Sequence, residues 1–230
     1  MQQYTYLLVN VGCIIVPLVC SFHSKILFYR QWKFFIIPCL ATALFFIIWD
    51  SIFTHYAIWY FNKKYITGIY IYNLPLEEVL FFICIPYACV FTYYCIAKFA
   101  NTSSYQKAAV FLSFILLIGL TAVAILNIYK LYTSVTFILL SILICTLLLC
   151  KAKFLSTFFI TYLLVLIPFT LSNGILTGSF WISEPVVLYN NTQNVGIRMF
   201  NIPIEDIFYG MLLFIMNVSG FEWMRSKKMT

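Results

Sequence analysis

The chain has 230 residues, of which 63% are hydrophobic, 20% aromatic and only 9% charged. A soluble domain carries roughly 25% charged residues, so this chain cannot cover a water-facing surface, and a disordered polypeptide, which is polar and charge-rich, is excluded by the same numbers. The net charge of +7 therefore points to membrane topology rather than to nucleic acid.

A helix needs about 20 mostly apolar residues to cross a bilayer. By that measure the chain holds seven spans: 4–22, 34–54, 76–97, 108–128, 131–150, 154–174 and 203–220. They leave no room for a separate soluble domain. The first has no basic segment before it and no small-residue cleavage site, so it reads as a retained helix rather than a signal peptide. Cys13, Cys20, Cys39, Cys84, Cys89, Cys95, Cys145 and Cys150 all lie in apolar runs, whereas a disulfide framework would hold them in loops. They read as small buried hydrophobes. Between the fourth and fifth spans, Asn127 to Lys130 is nearly all the loop available.

Basic residues set orientation, because cytoplasmic loops are enriched in Lys and Arg. One side carries Lys25, Arg30, Lys33, Lys98, Lys107, Lys151, Lys153, Arg225, Lys227 and Lys228; the other carries Lys63, Lys64, Lys130 and Arg198. This predicts an outer N-terminus and an inner C-terminus. Asp50, Glu77, Glu78, Glu184, Glu205 and Asp206 fall at or near the outer face, and only Glu222 lies inside.

Two segments resemble each other. Gly68-Ile69, Asn73, Pro75 and Glu77-Glu78 match Gly196-Ile197, Asn201, Pro203 and Glu205-Asp206 at a constant offset of 128, which Asn62 and Asn190 also obey. The same shift lays spans one to three over spans five to seven. Copies displaced by four helices cross the membrane in the same direction, so the expectation is an all-α membrane protein of two parallel three-helix repeats, 1–100 and 131–230, joined by a linking helix in 101–130. Both Pro-x-Glu-acid motifs then open their helices at one face. Asn73 and Asn201 are expected as N-caps, and an acidic first turn is favoured by the helix dipole. Acids entering runs as apolar as Val79-Leu80-Phe81-Phe82 and Ile207-Phe208-Tyr209 are costly, and acids in such places mark function.

The residues resemble a known family. Trp49-Asp50, Ile58 to Asn62, Gly68-Ile69 and Leu74 to Phe82 with Ile85-Pro86-Tyr87, followed in the second copy by Gly196-Ile197-Arg198 and Ile202 to Gly210, look like the membrane-embedded lycopene β-cyclases, both the bacterial two-subunit enzymes and their fused relatives. The resemblance covers both repeats. It implies conversion of the linear ends of lycopene into β-ionone rings at the cell membrane, and no obligate heteropartner, since both halves sit in one chain. The implied partners are the carotenoid and membrane lipid.

That reaction needs a proton donor, a base and a cation-tolerant apolar lining. Glu77, Glu78, Glu205 and Asp206 are the expected acid–base set, with no donor assigned among them. Asp50 reads either as a catalytic relay or as an interhelical hydrogen-bond partner. Trp49, Trp59, Phe81, Phe82, Phe208 and Tyr209 are the rings closest in sequence to the acids, and ring faces attract cations. Arg198 is expected to pair with a carboxylate near the substrate; His55 reads as an interfacial histidine and Glu184 as a solvated loop residue. On this basis Glu77→Gln and Glu205→Gln should each abolish cyclisation.

No Gly-x-Gly-x-x-Gly is present, which argues against a dinucleotide site. Two histidines and buried cysteines make no metal set, so no cofactor and no metal are expected. Aspartate-rich prenyl-diphosphate motifs are missing, and no lysine between Lys153 and Lys227 could form a retinal Schiff base. The alternative reading from a different class is a proton- or cation-coupled transporter or channel that uses the same paired acids.

Overall fold

The structure, a computed structural model, describes residues 2–182 and 184–227. Lys228, counted above among the inner basic residues, lies outside the described residues. Among the described residues, seven helices are long and apolar enough to cross a membrane. They are α1 (Thr5–Cys20), α2 (Trp32–His55), α3 (Leu76–Phe99), α4 (Gln106–Leu126), α5 (Leu131–Leu149), α6 (Leu155–Leu176) and α7 (Ile204–Ser226). Six of them agree with the predicted spans to within about two residues at each end. Helix α7 runs six residues further than expected, because the charges that signalled its end are satisfied on the helix. Arg225 pairs with Glu222 one turn earlier at 3.0 Å, and Tyr93 donates its hydroxyl to the same carboxylate.

The helices pack in matched pairs. Helix α1 lies on α3 as α5 lies on α7; α2 lies on α7 as α6 lies on α3; α3 and α7 meet, and α4 packs outside on α5 and α6. Leu8, Val16 and Val19 on α1, Phe111 and Ile118 on α4, and Leu163 and Ile167 on α6 are exposed. Such an apolar exterior suits lipid, where a water-facing bundle would carry charge. All eight cysteines are free; Cys39 and Cys89 are buried, Cys150 is exposed and the other five are half-buried.

Short strands organise the loops that precede the acidic motifs. Strands β1 (Trp59–Phe61) and β4 (Val187–Tyr189) pair antiparallel about Tyr60 and Leu188, residues that stand 128 apart. The two loops therefore meet at one end of the bundle. Two further hairpins, β2 (Tyr70–Ile71) with β3 (Leu74–Pro75) and β5 (Arg198–Met199) with β6 (Ile202–Pro203), lead directly into α3 and α7. Gly68 and Gly196 have φ of +83° and +85° with open space where a side chain would stand. Glycine is required there for its backbone, which adopts positive φ without steric cost.

The expectation that Asn73 and Asn201 cap the helices is corrected. Pro75 and Pro203 occupy the N-cap positions, with no side-chain cap; the Leu76 and Ile204 N–H groups instead reach back to the carbonyls of Ile69 and Ile197 at 2.9 and 3.0 Å. The asparagines sit two residues earlier, in the hairpin turns, and fasten them to α2 in the first copy and to the turn after α6 in the second. Asn73 accepts from Ser51 Oγ and donates to the Ser51 carbonyl, both at 2.8 Å. Asn201 donates its backbone N–H to Ser179 Oγ and its side-chain amide to the Gly178 carbonyl.

Candidate active site

Successive helical residues are about 100° apart, so the two acids of each motif cannot face the same way. Glu77 and Glu205 turn back onto their own loops. Glu77 Oε1 accepts the Thr67 N–H at 2.7 Å, and Glu205 Oε1 accepts the Val195 N–H at 2.7 Å together with the Thr133 hydroxyl at 2.6 Å. Both residues are fully buried, and the second oxygen of each has no partner among the described residues. They clip loop to helix.

Glu78 and Asp206 turn the other way, into the bundle, where Asp50 joins them. All three are nearly buried, at 7%, 5% and 2% exposed. They line a small chamber of about 80 Å³ together with Tyr6, Trp59, Tyr132, Tyr189 and Tyr209. Tyr6 donates its hydroxyl to Glu78 at 2.6 Å and Tyr209 donates to Asp50 at 2.6 Å. Asp50 and Glu78 thus share one chamber, each accepting a tyrosine hydroxyl. Asp206 accepts three hydrogen bonds, from Tyr132 at 2.5 Å, Asn173 at 2.7 Å and Tyr189 at 2.8 Å. Desolvation, and then the Asp206 carboxylate, push the Tyr189 hydroxyl well above its ordinary pKa, so that phenol keeps its hydrogen and stays a donor.

Beside the chamber, sharing Phe81, Ile85, Phe169, Asn173 and Gly210 with its lining, lies a groove of about 620 Å³ between α1, α3, α6 and α7, lined almost wholly by apolar side chains. Its wall on α1 runs from Thr5 to Pro17, roughly 18 Å at 1.5 Å per residue. Leu8 and Leu171 on its walls are exposed on the outside of the bundle, so the groove is open to the lipid side.

Long apolar grooves ending in buried carboxyls occur in more than one class of membrane protein, so the comparison with known sequences decides between them. The family model described as lycopene cyclase matches residues 3–96 and 129–224, one stretch in each repeat. The chain belongs to the lycopene cyclase family. It is a membrane protein of that family with both copies in one polypeptide, and its role lies in carotenoid cyclisation; the transporter reading gains no support from the match. No curated protein and no solved structure matches the chain.

Within that family frame the expected residues divide. Asp50, Glu78, Asp206, Trp59, Phe81 and Tyr209 line the chamber. Trp49 and Phe82 stand behind it: Trp49 packs edge-on to Tyr209 with ring centres 5.1 Å apart, and Phe82 packs on Phe46 at 5.6 Å. Phe208 turns away to pack on Phe137 at 5.0 Å. Arg198 is a correction, for it meets no carboxylate. It is exposed, donates to the Asn201 carbonyl and to Asn191 Oδ1, and lies over the Tyr189 ring. The hairpin turn offers it a closer acceptor than the enclosed acids do. His55 is exposed, and Glu184 forms an exposed pair with Lys64 at 3.2 Å.

Sequence reasoning passed over Tyr6, Tyr132, Tyr189, Asn173 and Phe169. A signal for two of them existed. Tyr6 and Tyr132 stand 126 apart, the offset between the starts of the two matched stretches, and each donates to the second acid of its own repeat.

The division of the acids points to another outcome for Glu77→Gln and Glu205→Gln than the loss of cyclisation expected from the sequence. A glutamine at either site keeps an oxygen for the loop N–H but buries an amide NH2 where Oε2 had no partner. An unsatisfied buried group costs about 1–3 kcal/mol. Both variants are expected to melt earlier and yield less folded protein, while the folded fraction keeps wild-type turnover. Thermal melting in detergent and activity per folded molecule check this.

Proposed function

We propose that the protein is a lycopene β-cyclase of the cell membrane, acting without a cofactor and without an obligate heteropartner. The observation that carries this reading is the convergence of Asp50 and Glu78 from the first repeat and Asp206 from the second on one chamber, at the head of an apolar groove.

Asp50 and Glu78 share one small, nearly closed chamber, where two like charges disfavour each other, so in this reading the pair holds one proton. Asp206 is surrounded by three donors, and donors favour the charged form of a carboxyl group. The roles follow. The Asp50–Glu78 pair gives its proton to the terminal double bond of the bound end group, leaving a tertiary carbocation. The neighbouring internal double bond attacks that cation, forming the carbon–carbon bond that closes the ring and moving the charge onto a ring carbon. Asp206 takes a proton from the adjoining ring carbon, and a ring double bond forms. One proton enters and one leaves, so no electron acceptor is needed.

The cation is also stabilised in place. At about 4 Å and an effective dielectric near 20, a carboxylate attracts a unit positive charge by on the order of 4 kcal/mol. The rings of Trp59, Tyr132 and Tyr209, packed 5.1 to 6.2 Å apart, add cation–π attraction of about 0.5–2 kcal/mol each. The rest of the polyene occupies the groove and the lipid beyond it.

In this reading the two halves, 1–100 and 131–230, are parallel repeats related about the membrane normal and joined through 101–130. The excess of basic residues at the opposite end from the chamber puts the N-terminus outside and the C-terminus inside. Expression in cells that accumulate lycopene tests the function. Chromatography is expected to show γ- and β-carotene; unchanged lycopene in the presence of membrane-inserted protein would refute it.

A further inference from the structure

Five residues line both the groove and the chamber: Phe81, Ile85, Phe169, Asn173 and Gly210. They stand at the junction of the two spaces, which an end group moving from groove to chamber would have to cross. Four bring side chains to it. Gly210 brings none, and the reason is not helix packing. The other glycine on α7 that closes on a neighbour, Gly220, would place a Cβ 2.6 Å from Pro38, so it is needed for close approach; at Gly210 the nearest atom to such a Cβ is on the Phe169 ring, at 3.4 Å. A methyl group fits there in ordinary contact. Anything longer has to find room beside the Phe169 ring, in the lining that groove and chamber share.

The duplication makes the contrast sharper. The position 128 before Gly210 is Phe82, which is fully buried, with its ring 5.6 Å from Phe46 and 5.7 Å from Phe81. Where the second repeat leaves space, the first is filled. Asp50 is likewise single, since Ser51 corresponds to Ser179 and the place of Asp50 is taken by Gly178.

We propose that Gly210 is the size filter between groove and chamber, and that with Phe82 filling the matching place it makes this duplicated scaffold a one-site enzyme. The inference rests on the reading of the site as a carotenoid cyclase. The absent side chain at Gly210 sets the width of the neck: enough for the acyclic end to reach the acids and for the ring to leave by the same way before the other end is presented, and too little once a longer side chain stands there.

The test is Gly210→Ala and Gly210→Leu in the full-length protein in lycopene-containing vesicles. Gly210→Ala is expected to stay within about threefold of wild type on the first ring. Gly210→Leu is expected to fall at least 100-fold while still binding lycopene, and Phe169→Ala added to it should restore at least tenfold of the loss. Wild-type activity in folded Gly210→Leu overturns the proposal, as does a folded double variant with no recovery; if the single variant does not accumulate, activity in the double variant decides. A failure of the functional reading is told apart because wild type is then inert too. The neck is then judged by tryptophan quenching with added lycopene. The part of the quenching that Trp59→Phe removes should be missing in Gly210→Leu, and its persistence overturns the neck.

Discussion

Replacing Glu78 by glutamine is expected to lower cyclisation by roughly 10²–10⁴-fold, the range supplied by a positioned proton donor or acceptor, with little change in thermal stability. The amide is close in shape to the carboxyl group, and its oxygen still accepts from the Tyr6 hydroxyl that now bonds Glu78 at 2.6 Å. What is lost is chemistry, because the amide NH2 can bond Asp50 but cannot release a proton to an alkene. Turnover per folded molecule checks the prediction, with melting temperature as the control. If Glu78→Gln keeps more than a tenth of wild-type turnover, Glu78 is not in the donor pair. The contrast with Glu77→Gln matters most, since the residues are adjacent in sequence and the variants should fail in opposite ways.

Asp206→Asn is expected to have the second large effect, again roughly 10²–10⁴-fold in turnover, through loss of the base and of the anion facing the cation. Three donors surround Asp206. An asparagine whose oxygen takes the place of Oδ2 still accepts from Asn173 and Tyr189, but it presents its NH2 to Tyr132, whose hydroxyl must turn to accept. A destabilisation of about 1–3 kcal/mol should accompany the catalytic loss, unlike Glu78→Gln. If the ring closes but deprotonation is misdirected, products with the ring double bond elsewhere appear on the same chromatogram. Unchanged turnover and an unchanged product would remove Asp206 from the mechanism.

The large features of the fold were legible because they rest on quantities that the chain states directly. Few charges and seven apolar runs leave only a membrane bundle, and an offset of 128 held across Gly68, Asn73, Pro75 and Glu77 is a duplication. The meeting of the loops at one end was legible from parity, and the pairing of β1 with β4 gives it a physical form. The site was legible to the level of the motif. That the two acids of a pair must diverge follows from helix geometry. Which of them faces inward depends on where α3 and α7 sit, and a sequence does not contain that. Tyr132 and Tyr6 were hidden by a change of offset from 128 to 126, small enough to break a gapless comparison. Tyr189 and Asn173 come from a loop and a middle helix with no acidic motif beside them. Arg198 misled because proximity in sequence to Glu205 suggested pairing, whereas the hairpin holds it on the exposed side of the turn. Gly210 stood inside the matched motif, but an absent side chain only acquires meaning once the cavity beside it is known.

In the proposed mechanism the buried carboxyls put one proton onto the polyene for every ring they close. Mass spectrometry of the pigment formed from lycopene by the purified protein in D2O measures this directly. One deuterium per ring, two in β-carotene and one in γ-carotene, is the predicted result; rings formed in D2O without deuterium would contradict it.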